Sequence, residues 1–179
     1  MSALHRQEQT SAGRSKMNSN VDILLVEDNQ DDIDLALHAL RQGKLANSIF
    51  VVRDGEEALD FLFCRGSHEQ RSSEHPPRLV LLDLKMPKVD GLQVLRELKN
   101  DPRTKTIPVV IMTSSKEERD LVDGYNSGVN SFIQKPVDFE QFRSTVKTLG
   151  LYWLMVNQAP VHREGRNHES RNGVEVHER

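Results

Sequence analysis

Five short apolar runs, each bounded by turn-forming residues, constrain this chain more than any other feature of its sequence. The runs are Ile23–Val26, Ile49–Val52, Leu79–Leu82, Val109–Met112 and the weaker Ser131–Ile133. The first, third and fourth are apolar at every position rather than at alternate positions, which is typical of strands buried on both faces of a parallel sheet. The chain must therefore supply cover for both faces of a central sheet.

Helical patterns between and after these runs supply that cover, because apolar residues recur there at steps of three and four. The five sets are Ile33, Leu37 and Leu40; Ala58, Leu59, Leu62 and Phe63; Leu92, Leu95 and Leu98; Leu121, Val122 and Tyr125; and Phe139, Phe142, Val146, Leu149, Trp153 and Val156. The last helix is expected to begin near Asp138, a good N-cap residue. Strands that alternate with helices predict an α/β fold. We expect five parallel strands in the order 2-1-3-4-5 with helices on both faces, the doubly wound, flavodoxin-like architecture.

The polar ends of the chain lie outside this pattern. Residues 1–20 and 159–179 hold few apolar side chains and are expected to be disordered tails, which leaves 21–158 as one folded domain. The stretch 67–77 is polar, ends in two prolines and is expected to form a surface loop. The segment after 158 is too short and too polar for an effector domain, so we expect the folded unit to act alone.

Composition excludes several classes of function. With 24 Lys and Arg against 27 Asp and Glu, the net charge is −3, which argues against a basic groove for nucleic acid. The single cysteine, Cys64, excludes an internal disulfide framework and a cysteine-based zinc cluster. The N-terminus lacks the apolar core of a secretion signal, and no apolar run has the length of a membrane span. These features predict a cytoplasmic protein without direct contact to nucleic acid or membrane.

Charged and hydroxyl side chains follow four of the five runs. Glu27 and Asp28 follow the first run, Asp83 the third, Thr113 the fourth, and Lys135 comes shortly after the fifth. In a doubly wound sheet the carboxyl ends of the strands share one edge, where ligands bind. Three carboxylates at one edge repel each other, so their oxygens imply a hard divalent cation, and Mg²⁺ suits them. A carboxylate can also attack a phosphoryl group, whose charge metal, ammonium and hydroxyl groups then neutralise.

Five motifs carry a resemblance to a known family. They are Val26-Glu27-Asp28-Asn29, Leu82-Asp83-Leu84-Lys85-Met86-Pro87, Asp90-Gly91, Met112-Thr113-Ser114 and Gln134-Lys135-Pro136. In this order and spacing they resemble the receiver domain of two-component response regulators, over about 21–158. The 67–77 loop, the helix end at Phe61-Leu62 and the last helix further resemble the small stand-alone regulators that are paired with cyanobacterial and bacterial phytochromes.

The resemblance implies a phosphoacceptor and a metal site. Asp83 would accept the phosphoryl group. Glu27 and Asp28 would hold Mg²⁺ together with Asp83, and the backbone carbonyl of Lys85 would be a further ligand.

The resemblance also implies how the phosphorylated state is stabilised and read. Thr113 would contact the phosphoryl oxygens and Lys135 would pair with them. Phe132 falls at the aromatic switch position, which turns inward when Thr113 moves toward the phosphate. The donor would be a histidine kinase, and the finer resemblance makes a phytochrome the expected kinase.

Two other functions fit parts of the pattern. A Mg²⁺-dependent phosphatase with an aspartate nucleophile needs a second carboxylate two residues further on, where this chain has Lys85. A flavodoxin-like cofactor carrier needs Gly, Ser and Thr donors in the loop after the first strand, which is acidic here. Asp31, Asp32 and Asp34 are interpreted as residues that cap the first helix and complement its dipole.

The end of the last helix is apolar almost all round. The residues expected to point away from its sheet-facing stripe are Leu151, Tyr152, Leu154 and Met155. Soluble proteins rarely leave such a patch uncovered. The tail after Pro160 is one possible cover but offers few apolar side chains. We therefore expect a homodimer through the last helix and the neighbouring fifth strand, which carries Phe132.

Overall fold

A five-stranded parallel sheet forms the centre of the molecule. The computed structural model describes residues 21–42, 48–114, 118–135 and 139–158. The strands are β1 (Ile23–Val26), β2 (Ile49–Val52), β3 (Leu79–Leu82), β4 (Val109–Thr113) and β5 (Ser131–Gln134). All are parallel, in the order β2-β1-β3-β4-β5. The predicted strands and their order are confirmed.

Five α-helices follow the strands in turn. They are α1 (Gln30–Gln42), α2 (Gly55–Leu62), α3 (Gly91–Asn100), α4 (Glu118–Asn126) and α5 (Phe139–Leu151), with a 3₁₀ turn at Gly66–His68 and a π-helical turn at Tyr152–Val156. The predicted tails at 1–20 and 159–179, and the predicted N-cap Asp138, lie outside the described residues. Within the described ranges, no helix is both long enough and apolar enough to cross a membrane.

Alternate side chains of the central strands pack into two separate cores. On one face, Val26, Leu82 and Ile111 pack in a core that α2 and α3 complete. On the other face, Leu25 and Met112 pack in a core that α1 and α5 complete. Because β1, β3 and β4 are buried at every position, both faces of the sheet are covered, as their continuous apolar sequences predict.

Polar caps at the carboxyl edge of the sheet start three of the helices. Asn29 Oδ1 accepts the backbone N–H groups of Asp31 and Asp32 at the start of α1. Asp54 and Asp90 cap α2 and α3 in the same way. Each cap satisfies a backbone donor that the first helical turn leaves unpaired. The polar loops at this edge therefore fix where the helices begin.

The predicted apolar face of α4 is wrong, because the helix turns that face outward. Leu121, Val122 and Tyr125 are 36%, 50% and 55% exposed. Gly124 is buried instead, and a Cβ there would lie 3.2 Å from the Ile111 side chain. The absence of a side chain lets this face of α4 approach the sheet. At about 100° per residue, Val122 then lies almost opposite Gly124 and faces solvent.

The end of α5 also departs from its predicted pattern. Leu154, which was expected on the exposed patch, is 2% exposed, whereas Val156, which was expected in the sheet-facing stripe, is 67% exposed. The cause is the π-helical turn, in which the Asn157 N–H donates to the Tyr152 carbonyl at 2.7 Å. Such a turn holds more residues than an α-helical turn, so the face that meets the core shifts along the sequence. The Arg78 guanidinium donates to the Leu154 carbonyl oxygen.

The predicted 67–77 surface loop lies at the surface and is anchored by an arginine. The Arg71 guanidinium lies 3.5 Å from the centre of the Phe61 ring and donates to the Phe61 carbonyl oxygen at 2.6 Å. Phe61 is in turn stacked on Phe50 of β2, with ring centres 4.7 Å apart. The Arg71 guanidinium, which stacks on the Phe61 ring, therefore attaches the loop to the end of α2.

Gly91, the first residue of α3, lies against the backbone that follows β3. A Cβ at this position would be 2.1 Å from the Asp83 carbonyl oxygen and 2.8 Å from the Leu84 Cα. Backbone atoms cannot move aside as a flexible side chain can. We therefore expect Gly91→Ala to lower the free energy of unfolding by about 2 kcal/mol or more, measured by urea denaturation.

Gly124→Ala is the matched control, because the new methyl group would meet mainly the tip of the Ile111 side chain. A loss below about 1 kcal/mol is expected, since alanine also favours the helix. Equal losses in the two variants would contradict the proposed backbone clash at Gly91.

Candidate functional site

The sheet brings the predicted site residues together at one edge. Glu27 follows β1, Asp83 follows β3, Thr113 ends β4, and Lys135 follows β5. The backbone ladder extends past the strands, because the Asp83 N–H donates to the Val26 carbonyl at 3.0 Å and the Lys135 N–H to the Thr113 carbonyl at 2.7 Å. These side chains are therefore positioned by the regular sheet and not by loose loops.

Three carboxylates form a compact acidic cluster. One oxygen each from Glu27, Asp28 and Asp83 lie within 4.8 Å of one another. Glu27 and Asp83 are buried, at 2% and 4% exposure, whereas Asp28 is exposed. The cluster is therefore open to solvent on the side of Asp28.

The Lys135 ammonium lies inside this cluster. Its Nζ is 2.5 Å from Glu27 Oε2, 2.8 Å from Asp32 Oδ2 and 3.4 Å from Asp83 Oδ1. Asp32 was predicted only to cap α1 and to complement its dipole, and its contact with Lys135 was missed. The available signal was its position in the first turn of α1, which begins at the edge where β1 ends.

The two oxygens of Asp83 have different environments. Oδ2 accepts the backbone N–H of Lys85 at 3.1 Å. Oδ1 is buried and accepts no hydrogen bond from the described residues, although Lys135 Nζ is 3.4 Å away. A buried carboxylate oxygen without a hydrogen bond needs a further partner. Oδ1 is therefore the Asp83 oxygen with unused capacity to accept a ligand.

Burial and the Lys135 ammonium shift the pKa values of the buried groups of the site. Burial raises the pKa of Asp83 and of Glu27 above their usual ranges, and Lys135 opposes both shifts. Burial alone would lower the pKa of Lys135, but its hydrogen bonds to Asp32 and Glu27 and the charge of Asp83 outweigh that effect and raise it. Lys135 therefore stays charged beside the buried carboxyl groups of Glu27 and Asp83.

The acidic cluster fits a hard divalent cation. All its donors are carboxylate oxygens, the ligands that Mg²⁺ and similar ions prefer, and one side is open for water ligands. No described residue donates a hydrogen bond to the buried Oδ1 of Asp83, and a metal ion could bind this oxygen instead. Glu27, Asp28 and Asp83 are thus a chemically suitable set. Lys85, whose side chain is exposed, lies beside them.

Thr113 and Phe132 share one face of the sheet. Phe132 is paired in register with Ile111, two residues before Thr113, so all three side chains point to the same side. Thr113 is fully buried, and Phe132 is partly buried against the core that contains Ile111. Thr113 and the predicted switch residue Phe132 are therefore diagonal neighbours on adjacent strands.

The apolar surface predicted to form the homodimer lies near the amino ends of the strands, whereas the acidic cluster lies at their carboxyl ends. Leu151, Tyr152 and Met155 are 42%, 49% and 70% exposed. Arg78, which precedes β3, contacts this end of the chain. The exposed apolar side chains are therefore far along the sheet from the acidic cluster.

Comparison with known proteins identifies relatives of similar length. Residues 23–147 match the family model described as "Response regulator receiver domain". The chain is 42% identical over 138 residues to the probable methanogenesis regulatory protein FilR2 of Methanothrix harundinacea, which covers 77% of this chain and 86% of that protein. It is 36% identical over 132 residues to the response regulator Rcp1 of Synechocystis sp., covering 74% and 88%.

Two solved structures extend the comparison. The phosphorylated cyanobacterial phytochrome response regulator RcpA has a TM-score of 0.72 and 40% identity, over 77% of this chain and 96% of that chain. The Mn²⁺-bound form of Rcp1 has a TM-score of 0.71 and 36% identity, over 77% and 97%. One similar structure thus carries a phosphoryl modification and another a divalent metal.

Asp83→Asn tests the cost of the buried charge at this edge. Because burial raises the pKa of Asp83, its ionised form is disfavoured in the folded protein. At pH 7 and without metal, we expect the variant to have a free energy of unfolding about 1 kcal/mol above that of the wild type. The gain should shrink as the pH falls through the raised pKa, because the wild-type carboxyl then takes up a proton and loses its charge.

Urea unfolding over about pH 4 to pH 8 measures this difference. Asp34→Asn, an exposed aspartate outside the acidic cluster, serves as the control and should change stability by less than about 0.5 kcal/mol. A gain for Asp83→Asn that grows on acidification would contradict the assigned cause.

Proposed function

The chain belongs to the response regulator receiver family, and on that premise we propose that it accepts a phosphoryl group on Asp83 from a histidine kinase in a Mg²⁺-dependent, cytoplasmic phosphorelay. The observation that carries this proposal is the environment of Asp83 Oδ1. This oxygen is buried, has no hydrogen bond from the described residues, and lies beside both the acidic cluster and an ammonium group.

The proposed reaction is an in-line phosphoryl transfer. A carboxylate oxygen of Asp83 attacks the phosphorus of the phosphohistidine, an O–P bond forms, and the N–P bond breaks so that its electron pair leaves with the histidine ring of the kinase. Oδ2 stays hydrogen-bonded to the Lys85 N–H, which holds the carboxylate in one orientation. The ionised form of Asp83 is the nucleophile, so its raised pKa favours reaction at neutral pH over acidic pH.

Three groups would compensate the charge that the phosphoryl group brings. Mg²⁺ held by Glu27, Asp28 and Asp83, with the Lys85 backbone carbonyl as a further ligand, would neutralise charge on the phosphoryl oxygens. The Lys135 ammonium is already within 3.4 Å of Asp83 Oδ1. The Thr113 hydroxyl would donate to a phosphoryl oxygen from the end of β4.

Phe132 would transmit the change. Because Thr113 and Phe132 lie on the same face of neighbouring strands, a shift of Thr113 toward the phosphoryl group opens or closes space beside the Phe132 ring. That ring packs next to Gly124 of α4, whose exposed face would then move. The phosphorylated state would then be read at this exposed face of α4.

A phytochrome is the kinase that the relatives favour. RcpA is described as a cyanobacterial phytochrome response regulator, and it resembles this chain over most of both lengths. FilR2, described as a probable methanogenesis regulatory protein, is equally similar in sequence. Phosphoryl transfer from purified phytochrome kinases can be compared with transfer from unrelated histidine kinases to identify the kinase partner. We expect faster transfer from the phytochromes.

Incubation with acetyl phosphate and Mg²⁺ tests the phosphoacceptor. We expect the wild type to gain the mass of one phosphoryl group, Asp83→Asn to gain none, and the control Asp34→Asn to behave as the wild type. Intact-protein mass spectrometry makes the measurement. Label retained in Asp83→Asn would refute the assignment. Repeated turnover of external phosphoesters would favour the phosphatase alternative, which Lys85 at the acid/base position disfavours.

We further propose that two copies pair through the end of α5 and the adjoining strand β5. The exposed side chains there are Leu151, Tyr152, Met155 and Val156. Leu154 is not among them, because it is part of the core. A two-fold contact through this surface would cover the same apolar side chains in both copies.

Tyr152→Asp combined with Met155→Asp should give monomers that still gain a phosphoryl group on Asp83, because both positions are exposed and far from the acidic cluster. Sedimentation velocity at micromolar concentrations, with and without acetyl phosphate, checks the oligomeric state. Val122→Asp, an exposed apolar position on α4, is the control and should leave the dimer intact. A monomeric wild type would refute the proposal, and dissociation by Val122→Asp alone would move the interface to α4.

A further inference from the structure

Asp32 is a charged residue of the site to which the proposed phosphoryl transfer assigns no role. It lies in the first turn of α1, and its Oδ2 accepts a hydrogen bond from Lys135 Nζ at 2.8 Å. Its side chain is 37% exposed, in contrast to the buried Glu27. Asp32 therefore reaches the buried ammonium from the solvent side.

The Lys135 ammonium is shared unequally among its three carboxylate neighbours. It donates hydrogen bonds to Glu27 at 2.5 Å and to Asp32 at 2.8 Å. Its contact with Asp83 Oδ1 is longer, at 3.4 Å, and that oxygen accepts no hydrogen bond from the described residues. In this structure the ammonium therefore donates hydrogen bonds to Glu27 and Asp32, and its contact with Asp83 is an ion pair without a hydrogen bond.

The start of α1 is capped without the side chain of Asp32. Asn29 Oδ1 already accepts the N–H groups of both Asp31 and Asp32. Asp31 supplies a second negative charge in the same helical turn and is exposed. The side chain of Asp32 thus has a separate role, which is its hydrogen bond to Lys135.

We propose that Asp32 is a positioning residue that holds the Lys135 ammonium away from Asp83 in the unphosphorylated protein. The proposal rests on the phosphoacceptor role of Asp83. A phosphoryl group on Asp83 would draw the ammonium toward its own oxygens, and this movement would weaken the hydrogen bond to Asp32. Asp32 therefore favours the unphosphorylated arrangement and opposes the phosphorylated one.

Beryllofluoride, a phosphoryl analogue that binds carboxylate oxygens without a covalent transfer step, measures this opposition. With Mg²⁺ present, we expect Asp32→Asn to bind beryllofluoride about two- to fivefold more tightly than the wild type, the size typical of a partly exposed ion pair. Titration followed by calorimetry gives the affinities.

Asp31→Asn is the matched control, because it removes the same charge from the same turn of α1. It should leave the affinity close to that of the wild type. An equal gain in Asp31→Asn and Asp32→Asn would overturn the proposal, because the effect would then come from net charge or from the helix dipole. Asp32→Glu, which keeps the carboxylate, should restore part of the wild-type behaviour.

A double-mutant cycle with Lys135→Gln tests whether the effect passes through the ammonium. In the Lys135→Gln background, Asp32→Asn should bind beryllofluoride no better than its parent. A full gain in that background would refute the positioning role.

A ligand-free measurement completes the test. The ¹⁵Nζ resonance of Lys135, identified by its loss in Lys135→Gln, should shift in Asp32→Asn and stay in place in Asp31→Asn. An unmoved resonance in Asp32→Asn would overturn the proposal even if Lys135→Gln binds no beryllofluoride. If the wild type neither binds beryllofluoride nor gains a phosphoryl group, the proposed function fails, and the resonance still decides the role of Asp32.

Discussion

The Lys135 ammonium is the interaction on which the carboxyl edge of this sheet depends. Glu27 and Asp83 are almost wholly buried, and an uncompensated buried carboxylate costs several kcal/mol. Lys135 supplies the missing cation because the β4–β5 ladder continues to its N–H group, which donates to the Thr113 carbonyl. A slip of one residue in β5 would turn the ammonium to the other face of the sheet. The register of an edge strand therefore governs the charge of the whole site.

The parallel topology explains why so many functional groups converge. Every strand delivers its carboxyl end to the same edge, and the helices that follow must begin there. Asn29 and Asp90 cap α1 and α3 within this edge. The first turn of α1 is consequently close enough for Asp32 to share the Lys135 ammonium. The helix caps, the acidic cluster and the Lys135 ammonium thus result from one arrangement, in which the strands end and the helices begin at the same edge of the sheet.

The sequence predicted the sheet well because burial on both faces leaves no choice of side chain at each strand position, as in Leu79–Leu82. The charged residues at the strand ends followed from that topology. The surface of α4 was mispredicted because a buried glycine, Gly124, gives no hydropathy signal. Leu154 was mispredicted because a π-helical turn changes the helical period without a mark in the sequence. Asp32 was missed because acidic residues in a first helical turn have an ordinary explanation as partners of the helix dipole.

The structure separates two apolar surfaces that differ in their connection to the site. The exposed face of α4, with Val122 and Tyr125, lies above Gly124, which is next to the Phe132 ring. Phe132 in turn shares a sheet face with Thr113, so a charge change at Asp83 has a short packed route to α4. The end of α5 has no such route, since Leu154 is buried in the opposite core and its carbonyl is bound by Arg78. With the proposed function, signal output would therefore lie at α4, whereas the proposed contact at the end of α5 would persist in both phosphorylation states.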